Sequence, residues 1–294
     1  MNLFQIISEI SNADPEALER INDRRSALSA LGDITKKLAL AAAPVAIGAA
    51  FNKTLAQGAG SSVNSILNYA LSLERLEAAF YTQALAAPTL ASAFGANAAL
   101  RAGVDKIRAD EQAHVDLLAA ALGTAASPAP RGYNFTAAYA NIPTFLTFAQ
   151  AFEDLGVRAY KGQAGYIPRT AMANVPNVGM VNVLQTALQI HAVEARHASY
   201  IRYQRRMAAN ASGGSQNQFG WITLDQANGA PAAVYGPGNP AAMFPSEANT
   251  TQNAAINLTT MGTPAYTAAE ISESFDEPLD HPTVLNIASP YIIP

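Results

Sequence analysis

Glu111-Gln-Ala-His114 and Glu194-Ala-Arg-His197 each place a carboxylate and an imidazole three residues apart, on lines where a helix would otherwise bury apolar side chains. Residues three apart on an α-helix face the same way, so each tetrad offers an oxygen and a nitrogen donor to one point. Apolar spacing predicts four helices, at about 61–87, 93–122, 143–162 and 178–209, whose seams alternate steps of three and four. Glu74 falls in the first seam between Leu71 and Ala78, and Glu111 and His114 in the second between Ile107 and Leu118. Glu153 falls in the third between Ala149 and Gly156; the fourth, read from Met180, carries Glu194 and His197 between His191 and Ile201. Pro143, two residues after Asn141, suits a first helical turn. The second-to-third connection, with Pro128, Pro130 and Gly132, is the longest and suits a crossover between two helical hairpins. The predicted fold is an all-α four-helix bundle.

Between residues 61 and 210, glutamate occurs only at 74, 77, 111, 153 and 194, and at least four of these five lie on seams. A lone buried carboxylate is costly and several together repel, so they must take up protons or enclose cations. Two divalent ions would neutralise four carboxylates. The order Glu, Glu-x-x-His, Glu, Glu-x-x-His is an internal twofold repeat, and it is the donor set of carboxylate-bridged di-iron and di-manganese bundles. The candidate metal ligands are therefore Glu74, Glu111, His114, Glu153, Glu194 and His197. A rival reading needs no metal: a buried ion-pair network among Glu, His and Arg, to which Arg75, Arg108, Arg158 and Arg196 could supply counter-charges.

Several neighbours stay open. Glu77, one turn beyond Glu74, could replace it or bridge, and Asp154 could displace Glu153 although it lies off the seam. Asp110 is placed to accept a hydrogen bond from a ligand imidazole and fix its tautomer, or to be a solvated surface residue. His191, one turn before Glu194, is either a further ligand or a core histidine. Tyr81 and Tyr160 each follow the single glutamate of their helix by seven residues, as core packing or as a proton or redox relay. His281 reads as surface.

A net charge of −4 with only 14% charged residues provides no basic stripe for nucleic acid. The absence of cysteine excludes disulfides, iron–sulfur clusters and thiol catalysis, leaving oxygen and imidazole to hold any metal. No stretch reaches the roughly 20 apolar residues of a membrane span. The nearest, residues 38–51, contains Pro44 and follows Arg24-Arg25 and Lys36-Lys37. That arrangement suggests a twin-arginine-type export signal and a periplasmic or exported protein; the alternative is a retained amphipathic segment in a cytoplasmic one. Composition divides the chain into an N-terminal segment (1–60), the bundle (61–210) and a loop-rich C-terminal extension (211–294). Apolar anchors at Trp221, Phe244 and Phe275 suggest that the extension wraps on the bundle.

The strings LNYALSLERLEAAFY, ADEQAH, FEDLGVRAY and VEARHASYIR resemble the ferritin-like domain family that includes bacterial and plant desiccation-related proteins. The closing FDEPLDHPTVLNIASPYI resembles the tail of bacterial members. Rubrerythrins, ferritins and manganese catalases are similar in the same motif order. The resemblance implies a ferritin-like fold, frequent twin-arginine export and two iron or manganese ions held by Glu74, Glu111, His114, Glu153, Glu194 and His197. It implies no settled activity. Three functions follow from these readings: an oxidoreductase reacting with dioxygen or peroxide, a protein that binds metal as glue or cargo, and a metal-free protective scaffold. Long additions at both ends argue against packing into a hollow storage shell.

Overall fold

The computed structural model describes residues 62–211, 219–252 and 256–294, so the export reading of residues 1–60 lies outside the described part. Helix α1 (Val63–Ala86) is followed by a short α2 (Pro88–Ala96) and then by α3 (Ala98–Leu122), α4 (Ile142–Ala164) and α5 (Val183–Ala211). Each long helix opens on a side chain that accepts an otherwise free N–H of the first turn. Ser62 accepts from Ser65, Asn97 from Leu100, Asn141 from Thr144 and Asn182 from Gln185. α1 packs on α3 and α4 on α5, which gives the expected all-α bundle of two helical pairs.

Two boundaries differ from the sequence reading. The second bundle helix starts at Ala98, not 93, because Pro88 begins a separate α2 and Asn97 both ends it and caps α3. The fourth starts at Val183, not 178. In the crossover between α3 and α4 lies β1 (Gly132–Tyr133), while β2 (Met172–Val175) and β3 (Gly179–Asn182) form an antiparallel hairpin ahead of α5. Asn177 and Gly179 turn that hairpin at φ 64° and 98°. Met180 therefore lies on a strand and is 63% exposed, not on a buried seam.

Along the helices, two apolar clusters flank the glutamate layer. One gathers Phe80, Phe145, Phe152 and Leu155; the other gathers Leu67, Leu71, Leu118 and Ile190. The C-terminal extension contains a β4–β5 ladder (Thr251–Gln252 with Ile256–Asn257) and helices α6 (Ala268–Ser272) and α7 (His281–Ala288). Its last strand, β6 (Ile292–Ile293), pairs with β1.

The extension is anchored on Arg158 of α4, which is 1% exposed. Its guanidinium donates to the carbonyls of Val234, Gly236, Pro245, Glu277 and Pro278 and lies 2.8 Å from the buried Glu247 carboxylate. Gly162 makes room for the strand of chain that follows, since a Cβ there would sit 2.0 Å from the Leu279 carbonyl oxygen. Phe244 is buried, but Trp221 is 51% exposed and stacks on Phe219 instead of anchoring the extension. His281 is not a free surface residue: it opens α7 with its ring 4.2 Å from that of Tyr69.

Candidate metal centre

The six predicted side chains converge in one layer of the bundle. Glu74, Glu111, Glu153 and Glu194 are each 0% exposed, and His114 and His197 are buried. They form two overlapping groups whose donor atoms lie within 4.8 Å of one another: Glu74, Glu111, His114 and Glu194, and then Glu111, Glu153, Glu194 and His197. Glu111 and Glu194, the glutamates of the two tetrads, belong to both. Glu74 with His114 closes one end, and Glu153 with His197 the other.

Both imidazoles turn Nδ1 toward the carboxylates. His114 Nδ1 is 3.0 Å from Glu74 and 3.3 Å from both Glu111 and Glu194. His197 Nδ1 is 2.8 Å from Glu111 and 3.3 Å from Glu153. Nearness here is not satisfaction. Among the described residues, Glu111 Oε1, Glu153 Oε2, both Glu194 oxygens and His197 Nδ1 have no aligned hydrogen-bond partner. Buried polar atoms are normally paired, so a cage with this many unpaired donor atoms is compatible with bound metal.

The electrostatics agree. Burial pushes Glu111 up to about 7, against the pull of His114 and His197. Burial and the neighbouring carboxylates raise Glu194 well above the usual range. Burial lowers an imidazole, yet the carboxylates around His197 overcome it and raise that group to about 11. His114 is likewise raised, by Glu111, Glu194 and Glu74 against its own burial. Without cations, the layer gathers protons in their place.

Neighbouring groups orient these side chains. Tyr81 of α1 donates its hydroxyl hydrogen to Glu153 of α4, and Tyr160 of α4 donates to Glu74 of α1. Asp110 sits 3.2 Å from His197 Nε2 and is itself held by Lys106. Glu77 belongs to neither donor group. It is a fifth buried carboxylate, raised by burial and by Glu194, Glu111, Glu74 and Glu153. Gly156 leaves clearance beside the layer: a Cβ there would lie 3.1 Å from Glu194 Oε2 and 3.2 Å from Glu77 Oε1. A residue of minimal size three positions after Glu153, on the same seam, is the sequence signal for it.

Other candidates fall away. Asp154 is buried on the far side, bound by Arg202 and by the Tyr235 hydroxyl at 2.6 Å, so it cannot displace Glu153. His191 belongs to neither donor group, and its Nδ1 has no hydrogen-bond partner among the described residues. None of the four arginine counter-charges turns to the layer: Arg75 binds the Ser127 carbonyl, Arg108 binds Asp105, Arg158 holds the extension and Arg196 is exposed to solvent. The guanidinium-neutralised network is therefore not what the layer contains.

A family model described as a ferritin-like domain matches residues 62–206, the stretch that supplies all six side chains. No curated protein and no solved structure matches the chain.

Proposed function

Through its helical bundle the chain belongs to the ferritin-like domain family, and from that premise we propose that it holds two iron or manganese ions and uses them to react with dioxygen or peroxide in stress protection. The observation that carries this reading is the overlap of the two donor groups on Glu111 and Glu194. Those two carboxylates would be shared, with Glu74 and His114 on one ion and Glu153 and His197 on the other. When bound, such a pair supplies two electrons in one-electron steps, enough to reduce dioxygen to peroxide, or peroxide to water, with two protons.

The chain's own part is positional. Asp110, 3.2 Å from His197 Nε2, is placed to accept its hydrogen, which would direct the Nδ1 lone pair inward once a bound ion displaces the Nδ1 proton. Tyr81 and Tyr160 hold one oxygen each of Glu153 and Glu74, so the other oxygen stays free to ligate. The apolar clusters on both sides keep bulk water from the layer.

Elemental analysis after loading with ferrous or manganous ion tests the site. About two ions per chain are expected, with loss of both in a Glu111→Ala, Glu194→Ala double variant. Equal metal in the variant and the parent would sink the proposal. The complete burial of the four carboxylates also suits a second reading, in which the metals are structural. Loaded protein that keeps its ions but reacts with neither oxidant would favour that one. Export remains part of the proposal and rests on the arginine pair. N-terminal sequencing of protein from the host envelope tests it, and an intact Met1 in the cytoplasm would refute it.

A further inference from the structure

On the outer side of α4 and α5, away from the glutamate layer, the C-terminal extension encloses a second cavity, of about 160 Å³. Its floor includes Ala195 and Ala198, and Ile222 and Phe275 add apolar wall. Arg202 also lines it. This residue is only 5% exposed and spends Nη2 on Asp154, while its remaining guanidinium donors have no hydrogen bond among the described residues. Asp276 also lines this space and is half-buried; its carboxylate accepts no hydrogen bond among the described residues, and it acts electrostatically on Arg202 and Arg158. The other polar wall groups are already engaged: Ser272 with Ala269 and Leu224, Ser274 with Glu270, and Glu273 with Thr223.

A cavity built this way contains a guanidinium paired at Nη2 with Asp154 whose other donors are open, a carboxylate with no hydrogen bond, and an apolar wall. We propose that it binds a small zwitterion, an α-amino acid whose carboxylate meets Arg202, whose ammonium group meets Asp276 and whose apolar side chain lies against Ile222 and Phe275. Size sets the class. A dry cavity of about 150 Å³ takes benzene, so this one admits roughly six to eight heavy atoms, the range from alanine to valine. Guanidinium forks match carboxylates in two-point geometry, and a site with both charges rejects molecules that carry only one, because the other buried group is left unpaired. The site is independent of the metal centre, although Asp154, Ala195 and Ala198 each adjoin one of its proposed ligands in sequence.

Isothermal titration calorimetry on the full chain tests this, with L-valine as the probe. Isovalerate, which lacks the ammonium group, and isobutylamine, which lacks the carboxylate, are the controls. Saturable binding of valine is expected, with both controls at least tenfold weaker. Asp276→Asn should weaken valine at least tenfold with little change in melting temperature, because no hydrogen bond to its carboxylate is lost, and Ala198→Leu should abolish binding by filling the floor. The proposal is overturned by the absence of saturable heat with any of the twenty common amino acids. It is overturned equally if binding is unchanged in both variants, or if isovalerate or isobutylamine binds as tightly as valine.

Discussion

Tyr160 on α4 donates its hydroxyl hydrogen to Glu74 on α1, while Tyr81 on α1 donates to Glu153 on α4. Each tyrosine follows the glutamate of its own helix by seven residues and serves the glutamate of the other. The internal repeat of the sequence thus becomes a reciprocal cross-brace in space, with burial holding both phenols well above their ordinary pKa and so protonated as donors. Tyr160→Phe removes the brace from Glu74 and leaves one carboxylate oxygen buried and unpaired. Loss of such an outer hydrogen bond typically costs 10–100-fold in metal affinity. The variant should lose that much at the Glu74–His114 position and little at the other, which competition with a graded metal chelator would resolve as two unequal binding steps. Two steps weakened equally would show that the brace does not act on one ion.

Proton uptake by the metal-free layer fixes the sign of its pH dependence. Glu111, at about 7 in the fold, binds a proton that the unfolded chain releases near 4.5, and His197, at about 11, holds one released near 6.5. Both shifts are upward, so both contribute stability that is complete below the unfolded pKa and is lost as pH rises through the folded one. Glu111 alone accounts for a change on the order of 3 kcal/mol between pH 4.5 and 7. Melting temperature of the metal-free protein should therefore fall steadily from pH 6 to 9. The loaded protein, whose ions displace those protons, should hold level or rise over the same interval, so the gap between the two widens with pH. Parallel curves for the two forms would contradict this account.

Much of this centre was legible because its residues break a strong local rule. Glutamate on an apolar seam is conspicuous, and two tetrads at helical spacing fix which way the donors face. The hairpin at 172–182 was missed because Met180, Leu184 and Ala187 mimic helical spacing, although Pro176, Asn177 and Gly179 carried a turn signal. Asp154 stayed an open alternative for a different reason. Its partners Arg202 and Tyr235 are 48 and 81 residues away, and no local pattern encodes such a meeting. The same holds for Arg158, whose acceptors are mostly backbone carbonyls that any residue could supply.

Gly156→Ala should separate bundle stability from metal affinity. Alanine in a helix interior is favoured over glycine by up to about 1 kcal/mol, so the metal-free variant should melt no lower than the parent. Its new Cβ, however, would crowd Glu194 Oε2 at 3.1 Å and Glu77 Oε1 at 3.2 Å, and Glu194 belongs to both donor groups. Metal affinity should drop about tenfold or more, comparable to disturbing a ligand's orienting contacts. Differential scanning calorimetry on both forms checks it: an unchanged or higher metal-free melting temperature together with a smaller metal-induced increase. A full metal-induced increase would mean that Glu194 can yield at no cost.

Arg158→Leu tests how the extension is held. The substitution strands the Glu247 carboxylate, already raised to about 8 by burial, and leaves five carbonyls without their donor. Breaking a buried pair on one side costs about 3–5 kcal/mol, whereas replacing both partners by apolar groups costs much less. Urea unfolding should show the single variant destabilised by that amount, and an Arg158→Leu, Glu247→Leu double variant should recover part of it. Because the guanidinium contacts residues between Val234 and Pro278, limited proteolysis of the single variant should cut within the extension while the helical bundle persists by circular dichroism. Cleavage in the bundle at the same protease dose would place the anchoring role of Arg158 within the helices themselves.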